Sequence, residues 1–238
     1  MEMEQKKYEF TGETMDFFGR TLHRIRSLRA FSDINIGDIG GWIEKEENLS
    51  HNNNAQVFDD AQVCGEALVG GEAQVFDDAQ VCGKAQVCGK AQVGGKARVY
   101  NKAQVFDDAQ VSGKAQVYGE AQVYGDALVS GKAQVSGDAQ VGGDAQVCGK
   151  ARVCGEARIF SNHHYWTSPR IGSRNDITTF YRSKDRRIMV VCGCCHTDIE
   201  DFARRVKETH GDNQHARDYE RAIQMAKIWI DLEGDIDE

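Results

Sequence analysis

The middle of the chain alternates small or aliphatic residues with polar residues at a strict period of six. From Ala55 to Asn162 the sequence consists of 18 consecutive hexads, 108 residues without an insertion, each close to A-Q-V-x-G-x. Position one is Ala in every hexad, and position three is Val except at Ile159. A period of six is three cycles of strand alternation and does not match a helical period. The pattern therefore predicts short strands with Ala and Val on one side and Gln on the other.

Position five of each hexad indicates how the short strands end. It is Gly in 13 hexads, and the others have Asp59, Asp77, Asn101, Asp107 and Ser161. Except for the Ser, these residue types tolerate a left-handed backbone. The repeat therefore predicts a coil that bends every six residues, with successive coils hydrogen-bonded about 4.8 Å apart.

Starting from Val, the repeat V-x-G-x-A-x resembles the hexapeptide repeat of left-handed parallel β-helices. The resemblance implies a triangular coil of three hexads, and hence six 18-residue coils over residues 55–162 in a prism about 29 Å long. The left hand and the triangle are implied by the family, whereas the periodicity itself indicates only strands and corners. A sandwich of short strands is the alternative, although its turns would vary in length. We expect a mainly β protein.

The segments on either side of the repeat have different patterns. Residues 1–54 alternate short apolar runs with Gly and acidic turns, which favours a β cap over the open end of the coils. Residues 163–238 predict a small α+β domain with a hairpin over 176–192, whose turn is SKDR, and two helices. The first helix is expected to be capped by Thr197 and to end at His210, and the second to run from Asn213 to about Leu232.

Both ends also resemble a group of bacterial and phage hexapeptide proteins that includes the enterobacterial YdcK. In the N-terminal segment the match is carried by Phe31, Asp33, Gly37, Gly40, Gly41 and Trp42. At the other end it is carried by the stretch from RIGSRND through CGC to VKETHGDN. The resemblance covers nearly the whole chain. It implies a bacterial or phage genomic context more than any particular reaction.

Composition and charge limit the expected location and partners. No stretch approaches the roughly 18 apolar residues of a membrane span, and the first residues, MEMEQKKYEF, lack the apolar run of a signal peptide. We therefore expect a cytoplasmic protein without membrane association, whose eight Cys stay reduced. The net charge of −8 disfavours nucleic acid as a partner but leaves local basic patches open.

Most hexapeptide β-helices are acyltransferases, so the resemblance makes an acyl-CoA-dependent acetyltransferase the first enzymatic hypothesis. Such enzymes use a His as general base. The repeat contains no His, and the pair His163 and His164 at its exit is more simply interpreted as covering the last coil. The C-G-C-C-H run at 192–196 lacks the spacing of a zinc site. We expect no cofactor and no metal, and enzymatic activity stays open.

With 18 residues in a coil, each side chain lies next to its counterparts 18 positions away. At position four this predicts stacked pairs, namely Phe58 on Phe76, Tyr100 on Tyr118, Phe106 on Tyr124, and Cys64 on Cys82. The aromatic pairs are expected to stabilise the stack as cross-strand neighbours. A stacking platform for a ligand is the functional alternative.

Position six separates charge by corner. One corner carries two Asp followed by four Lys, and the next outward positions add two Arg. We call these six cations the basic edge: Lys96, Arg98, Lys114, Lys132, Lys150 and Arg152. Like charges on neighbouring strands are destabilising, so stability alone does not favour this column. We predict an anion-binding edge, with a solvated corner as the alternative because exposed Lys side chains are screened.

Three functions remain open from the sequence. The first is a non-enzymatic β-helix that presents charged edges to a macromolecular partner, most simply a protein with an anionic surface. The second is the acetyltransferase. The third, prompted by the phage resemblance, is a counter-defence protein that sequesters a host protein or a nucleotide signal. A homodimer or homotrimer is compatible with each of them.

Overall fold

The N-terminal segment forms three strands, in agreement with the predicted β-rich cap. The computed structural model describes residues 6–233, so residues 1–5 of the predicted cap and residues 234–238 of the predicted C-terminal domain lie outside it. Strands β1 (Tyr8–Phe17) and β2 (Arg20–Ser27) form an antiparallel hairpin, and β3 (Ile39–Ile43) pairs antiparallel with β2. The 3-10 helix Glu46–Asn48 follows.

Each hexad contributes one strand of two residues, at positions two and three. In chain order β4 to β21 are Gln56–Val57, Gln62–Val63, Leu68–Val69, Gln74–Val75, Gln80–Val81, Gln86–Val87, Gln92–Val93, Arg98–Val99, Gln104–Val105, Gln110–Val111, Gln116–Val117, Gln122–Val123, Leu128–Val129, Gln134–Val135, Gln140–Val141, Gln146–Val147, Arg152–Val153 and Arg158–Ile159. Every third strand joins the same parallel sheet. The faces that begin with β4, β5 and β6 are called faces 1, 2 and 3. The predicted coil of three hexads is confirmed.

The corners adopt the backbone conformation that position five predicts. From Asp59 to Gly155 every residue at position five has a positive φ, between 55° and 77°. Ser161, the one residue type not suited to this conformation, has φ −150°. The regular corner ends there, and the 3-10 helix Asn162–His164 begins.

The interior of the prism consists of the inward column residues. Ala at position one is fully buried in every hexad, and the aliphatic residue at position three is at most 3% exposed. The outward Gln side chains form hydrogen-bonded ladders, as between Gln104, Gln122 and Gln140, with N···O distances of 3.1 Å. The predicted assignment of Ala and Val inward and Gln outward is confirmed.

The N-terminal segment extends the solenoid beyond the hexads. β3 pairs in parallel with β5, with Trp42 opposite Gln62, and Leu49 bridges to Val69. These partners are separated by 20 residues instead of 18. The N-terminal segment therefore adds roughly a seventh coil, whose length differs from that of the repeat.

Side chains of this segment also satisfy backbone carbonyls that the first coil would otherwise leave without a partner. In the repeat, the carbonyl of position one accepts the N–H of a residue in the preceding coil. In the first coil the Lys7 ammonium donates to the Ala55 carbonyl at 2.7 Å, and the Asn48 amide donates to the Ala67 carbonyl at 2.8 Å. The cap thereby removes the cost of unpaired buried carbonyls at this end.

At the other end, backbone N–H groups of the last coil have no following coil to donate to, and side-chain oxygens accept their hydrogen bonds instead. The Arg152 N–H donates to Thr179 Oγ1 at 3.0 Å, and the Gln146 N–H donates to Asn162 Oδ1 at 2.9 Å. Both ends of the solenoid are therefore closed by polar groups of the required kind.

The C-terminal domain is a four-stranded antiparallel sheet with two helices. Its strands are β22 (Tyr165–Thr167), β23 (Thr179–Arg182), β24 (Ile188–Cys192) and β25 (Cys195–Asp198), and its helices are α1 (Ile199–His210) and α2 (Gln214–Trp229). The predicted hairpin and both helices are present. Tyr181 points into the solenoid core, and Phe180 packs among the helices.

Two local predictions in this domain differ from the structure. The N-cap of α1 is Asp198, whose carboxylate accepts the Asp201 N–H, whereas Thr197 lies within β25 and donates its hydroxyl to the Asp201 carboxylate. α2 ends at Trp229, short of Leu232. In both cases a tertiary contact decides the boundary, because β25 pairs with β24 through Thr197 and the chain after Trp229 returns to the solenoid, where the Asp231 N–H donates to the His163 carbonyl.

We expect Gly113→Ala to lower the free energy of unfolding by more than Gly149→Ala does. Both glycines have φ near +69°, where an L-residue costs about 1–2 kcal/mol. A Cβ at Gly113 would also lie 3.0 Å from the backbone of Gly131, whereas one at Gly149 would meet nothing within 4 Å. Urea unfolding followed by circular dichroism measures the difference. Equal losses would show that the close approach of coils contributes nothing.

Candidate functional site

The basic edge lies at the corner between faces 1 and 2, as the 18-residue register predicts. The backbone N–H groups of Lys96, Lys114 and Lys132 each donate at 2.6 Å to the corner carbonyl of the following coil. These hydrogen bonds hold the Lys residues one coil apart along one edge. The side chains of all four Lys in the column are exposed. Arg98 in β11 and Arg152 in β20 lie on the adjoining face 2.

The structure shows that three of the six cations have polar partners. Lys96 forms an ion pair with Asp78 at 3.7 Å, and Lys150 lies 4.0 Å from the carboxylate of Asp176 in the C-terminal domain. Arg152 donates to the Gly193 carbonyl at 2.6 Å and is partly buried against that domain. These three residues serve in part to join coils or to hold the C-terminal domain.

The remaining cations, Arg98, Lys114 and Lys132, are not compensated. Within residues 6–233 their side chains form no ion pair or hydrogen bond. The corner between faces 2 and 3 behaves differently, because opposite charges on successive coils pair there: Lys84 with Glu66 at 3.2 Å and Lys102 with Glu120 at 2.7 Å. The basic edge therefore keeps two exposed Lys, Lys114 and Lys132, that have like-charged neighbours on both sides.

The two histidines considered for acyl transfer have structural contacts. His164 is 4% exposed, and its Nδ1 accepts the Phe160 N–H at 2.9 Å. Burial, together with the nearby Arg182 guanidinium, lowers the pKa of His164 to about 4. The ring of His163 packs against Trp229 at 5.1 Å. Both residues lie where the last coil meets the C-terminal domain, in agreement with the covering role predicted for them.

The C-G-C-C-H run does not gather metal ligands. Its residues lie on β24, β25 and the turn between them, and His196 Nε2 lies 2.7 Å from the Tyr181 hydroxyl. Among the residues that the structure describes, no group of three or more His, Cys, Asp or Glu side chains is placed to hold a metal ion.

The predicted stacks at position four are present. Phe58 and Phe76, Tyr100 and Tyr118, and Phe106 and Tyr124 have ring centroids 5.0 to 5.4 Å apart and nearly parallel planes. The sulfurs of Cys64 and Cys82 are 2.7 Å apart. Since each ring stacks on its partner, these pairs act as cross-strand neighbours.

A cavity beside the thiol pair was not predicted. The turn between β1 and β2 places Phe17 and Phe18 over face 2, where they line an open cavity of about 340 Å³ with residues that include Arg98 and Tyr100. The available signal was the pair of Phe residues directly before Gly19, since exposed aromatic residues at a hairpin turn are unusual and suggest a contact. Nothing in the repeat pattern indicated which coil the turn would cover.

Three parallel sheets built from 18-residue coils define this protein as a β-solenoid repeat protein. The family model described as the YdcK beta solenoid repeat matches residues 121–137, nearly one coil. The match and the solenoid together support a YdcK-like β-helix repeat protein, as the resemblance predicted. No curated protein matches the chain. Neither helix of the C-terminal domain is long and apolar enough to cross a membrane, and the same holds for every helix within residues 6–233.

Proposed function

We propose that this protein is a non-enzymatic β-helix that binds the acidic surface of a protein partner through the basic edge. The observation that supports this most directly is that Lys114 and Lys132 lie exposed on successive coils and have no counter-ion among residues 6–233. The corner between faces 2 and 3 shows that this chain can place opposite charges on successive coils, whereas the basic edge carries four Lys in succession from Lys96 to Lys150.

The rigidity of the coils makes this edge suited to recognition. The parallel strands hold the Cα atoms of the two Lys about 4.8 Å apart, so a partner would need carboxylates on a similarly narrow spacing. Such a local field accelerates encounter with an anionic surface even though the net charge is −8. The outward Gln residues of face 2 would supply hydrogen bonds beside the charges.

Reversing the charge at Lys114 and Lys132 should weaken binding without loss of stability. We expect Lys114→Glu with Lys132→Glu to weaken binding at least about tenfold, because the substituted edge repels carboxylates. The melting temperature should be unchanged or slightly higher, because each new Glu lies one coil from a Lys that is retained, Lys96 or Lys150. The measurements are recovery of partners from an extract of the native host by mass spectrometry, and then titration of the purified partner at several salt concentrations.

The control is Lys90→Glu with Lys207→Glu, which changes the net charge equally at exposed sites elsewhere. It should bind like the wild type. Equal weakening by control and test variants would mean that only net charge matters, and full binding by the test variant would make the edge a solvated corner. Release of CoA from acetyl-CoA that is lost in His163→Ala would favour the acetyltransferase, and recovery of a host immune protein would favour the counter-defence role.

A further inference from the structure

A second cluster of reactive side chains lies on face 2 at its N-terminal end. Cys64 and Cys82 occupy position four of hexads one coil apart, and the Cys64 N–H donates to the Val81 carbonyl at 3.0 Å. Adjacent parallel strands bring such residues to a Cα separation of about 4.8 Å, which is within the range that a disulfide bridges without backbone movement. The contact of the two sulfurs at 2.7 Å shows that the side chains are also oriented toward each other.

The two thiols differ in accessibility. Cys64 is 3% exposed and packs beneath Leu22 and Trp42, whereas Cys82 is partly exposed. Both line the cavity of about 340 Å³ under the hairpin turn. Of the two residues Cys82 is therefore the more exposed, and we assign it as the point at which a reagent from solvent reacts.

The contact between the two sulfurs also favours the loss of one proton from the pair of thiols. A hydrogen bond with Cys82, assisted by the nearby Arg20 guanidinium, lowers the pKa of Cys64, while the contact with Cys64 and burial raise the pKa of Cys82. One thiolate is thus stabilised and the second proton is retained between the sulfurs. This arrangement is typical of reactive cysteine pairs, in which the thiol of one cysteine stabilises the thiolate of the other.

The charge of the cavity favours one class of reagent. Arg20 and Arg98 contribute to its lining, and no acidic side chain of the described residues does so. Arg20 is paired with Glu44 at 2.9 Å, whereas Arg98 is exposed and has no such partner within residues 6–233. Phe18, which is 85% exposed, and Tyr100 provide apolar walls.

We propose that Cys64 and Cys82 form a redox-active dithiol that is oxidised to an intramolecular disulfide by a small disulfide carrying carboxylates, with Arg98 attracting the carboxylates. As Cys82 Sγ attacks one sulfur of the reagent, its proton passes to the Cys64 thiolate, the reagent's S–S bond breaks, and one thiolate leaves. Cys64 then gives its proton to that thiolate and attacks Cys82 Sγ, which releases the second half of the reagent. The protein loses two electrons, and the reagent is reduced to one thiol and one thiolate, which takes its proton from water.

The exchange between the two thiols and the reagent does not require the partner proposed above, although Arg98 belongs both to the basic edge and to the lining of this cavity. The test uses oxidised glutathione as the anionic disulfide and cystamine as the cationic one. The protein carries Cys88→Ser, Cys148→Ser and Cys194→Ser, which removes the exposed thiols. Intact mass and peptide mapping should show loss of two hydrogens and a Cys64–Cys82 link. Reduced thiols that survive an excess of oxidised glutathione would overturn the proposal.

Single variants identify the order of reaction. In Cys64→Ser, or Cys64→Ala if folding is impaired, a glutathione adduct should persist on Cys82, because no second thiol can displace it. In Cys82→Ser the buried Cys64 should stay unmodified while the fold is intact by circular dichroism. A stable adduct on Cys64 in that variant would overturn the assignment of Cys82 as the entry point.

The role of the Arg98 charge is tested by comparing the rates of oxidation by the two reagents. Arg98→Glu should slow oxidation by oxidised glutathione about fivefold and accelerate oxidation by cystamine, because an exposed charge reversal changes a screened attraction into repulsion. Arg158→Glu, on face 3, is the matched control and should alter neither rate. Equal rates for wild type and Arg98→Glu with both reagents would overturn the carboxylate selectivity.

Discussion

Val117→Asp should destabilise the solenoid by several kcal/mol. Val117 is fully buried at mid-prism and lies in register between Val99 and Val135. A carboxylate there has no partner and loses its hydration. Because each coil contacts only its neighbours, the defect also separates the coils before it from those after it. Thermal and urea unfolding followed by circular dichroism should show a much lower midpoint.

Gln116→Asp is the matched control, one residue earlier on the same strand. Gln116 faces outward and pairs in register with Arg98 and Gln134, so a carboxylate stays hydrated and gains a cationic neighbour. We expect a change within about 0.5 kcal/mol, as is usual for surface substitutions. A larger loss for Gln116→Asp than for Val117→Asp would contradict the assignment of the two faces.

Tyr181→Ala should cost about 3–5 kcal/mol, as deletion of a large buried aromatic ring does. Tyr181 is fully buried where the C-terminal sheet closes the last coil, and its hydroxyl donates to the Cys154 carbonyl at 2.9 Å. Burial raises the pKa of Tyr181, so the phenol keeps the proton that it donates. The Ala variant should show a lower melting temperature and earlier proteolytic release of the C-terminal domain.

Tyr181→Phe separates the ring from its hydroxyl. It keeps the packing but leaves the Cys154 carbonyl without its donor, so a smaller loss of about 1–3 kcal/mol is expected. Wild-type melting of the Ala variant would show that this sheet does not close the solenoid.

Most of the solenoid could be predicted because its long-range partners recur at constant spacing. The pairings of Val117, the ring stacks and the Cys64–Cys82 contact all follow from a separation of 18 residues. Positive φ at the corners followed from Gly, Asp and Asn at position five. In an ordinary fold such distant partners are not encoded by spacing.

The candidate site was predictable only as a column of charge. The positions of Lys96, Lys114, Lys132 and Lys150 on one edge followed from the same spacing. Their partners did not, because Asp176 belongs to another domain and its distance from Lys150 depends on how that domain packs. The same holds for Arg152, which Gly193 binds through a backbone carbonyl that no sequence pattern marks.

The repeat therefore specified the strands, the corners, the inward and outward faces and the order of charges along each edge. These are consequences of local backbone preference and of burial repeated every six residues. Tertiary packing, in contrast, set how the ends close, which strands join the C-terminal sheet, and which cations of the basic edge find a partner. Those outcomes depend on single contacts between non-repeating segments, such as Lys7 with Ala55, Tyr181 with Cys154 and the hairpin turn over Cys82. A contact that occurs once leaves no period in the chain from which it could be inferred.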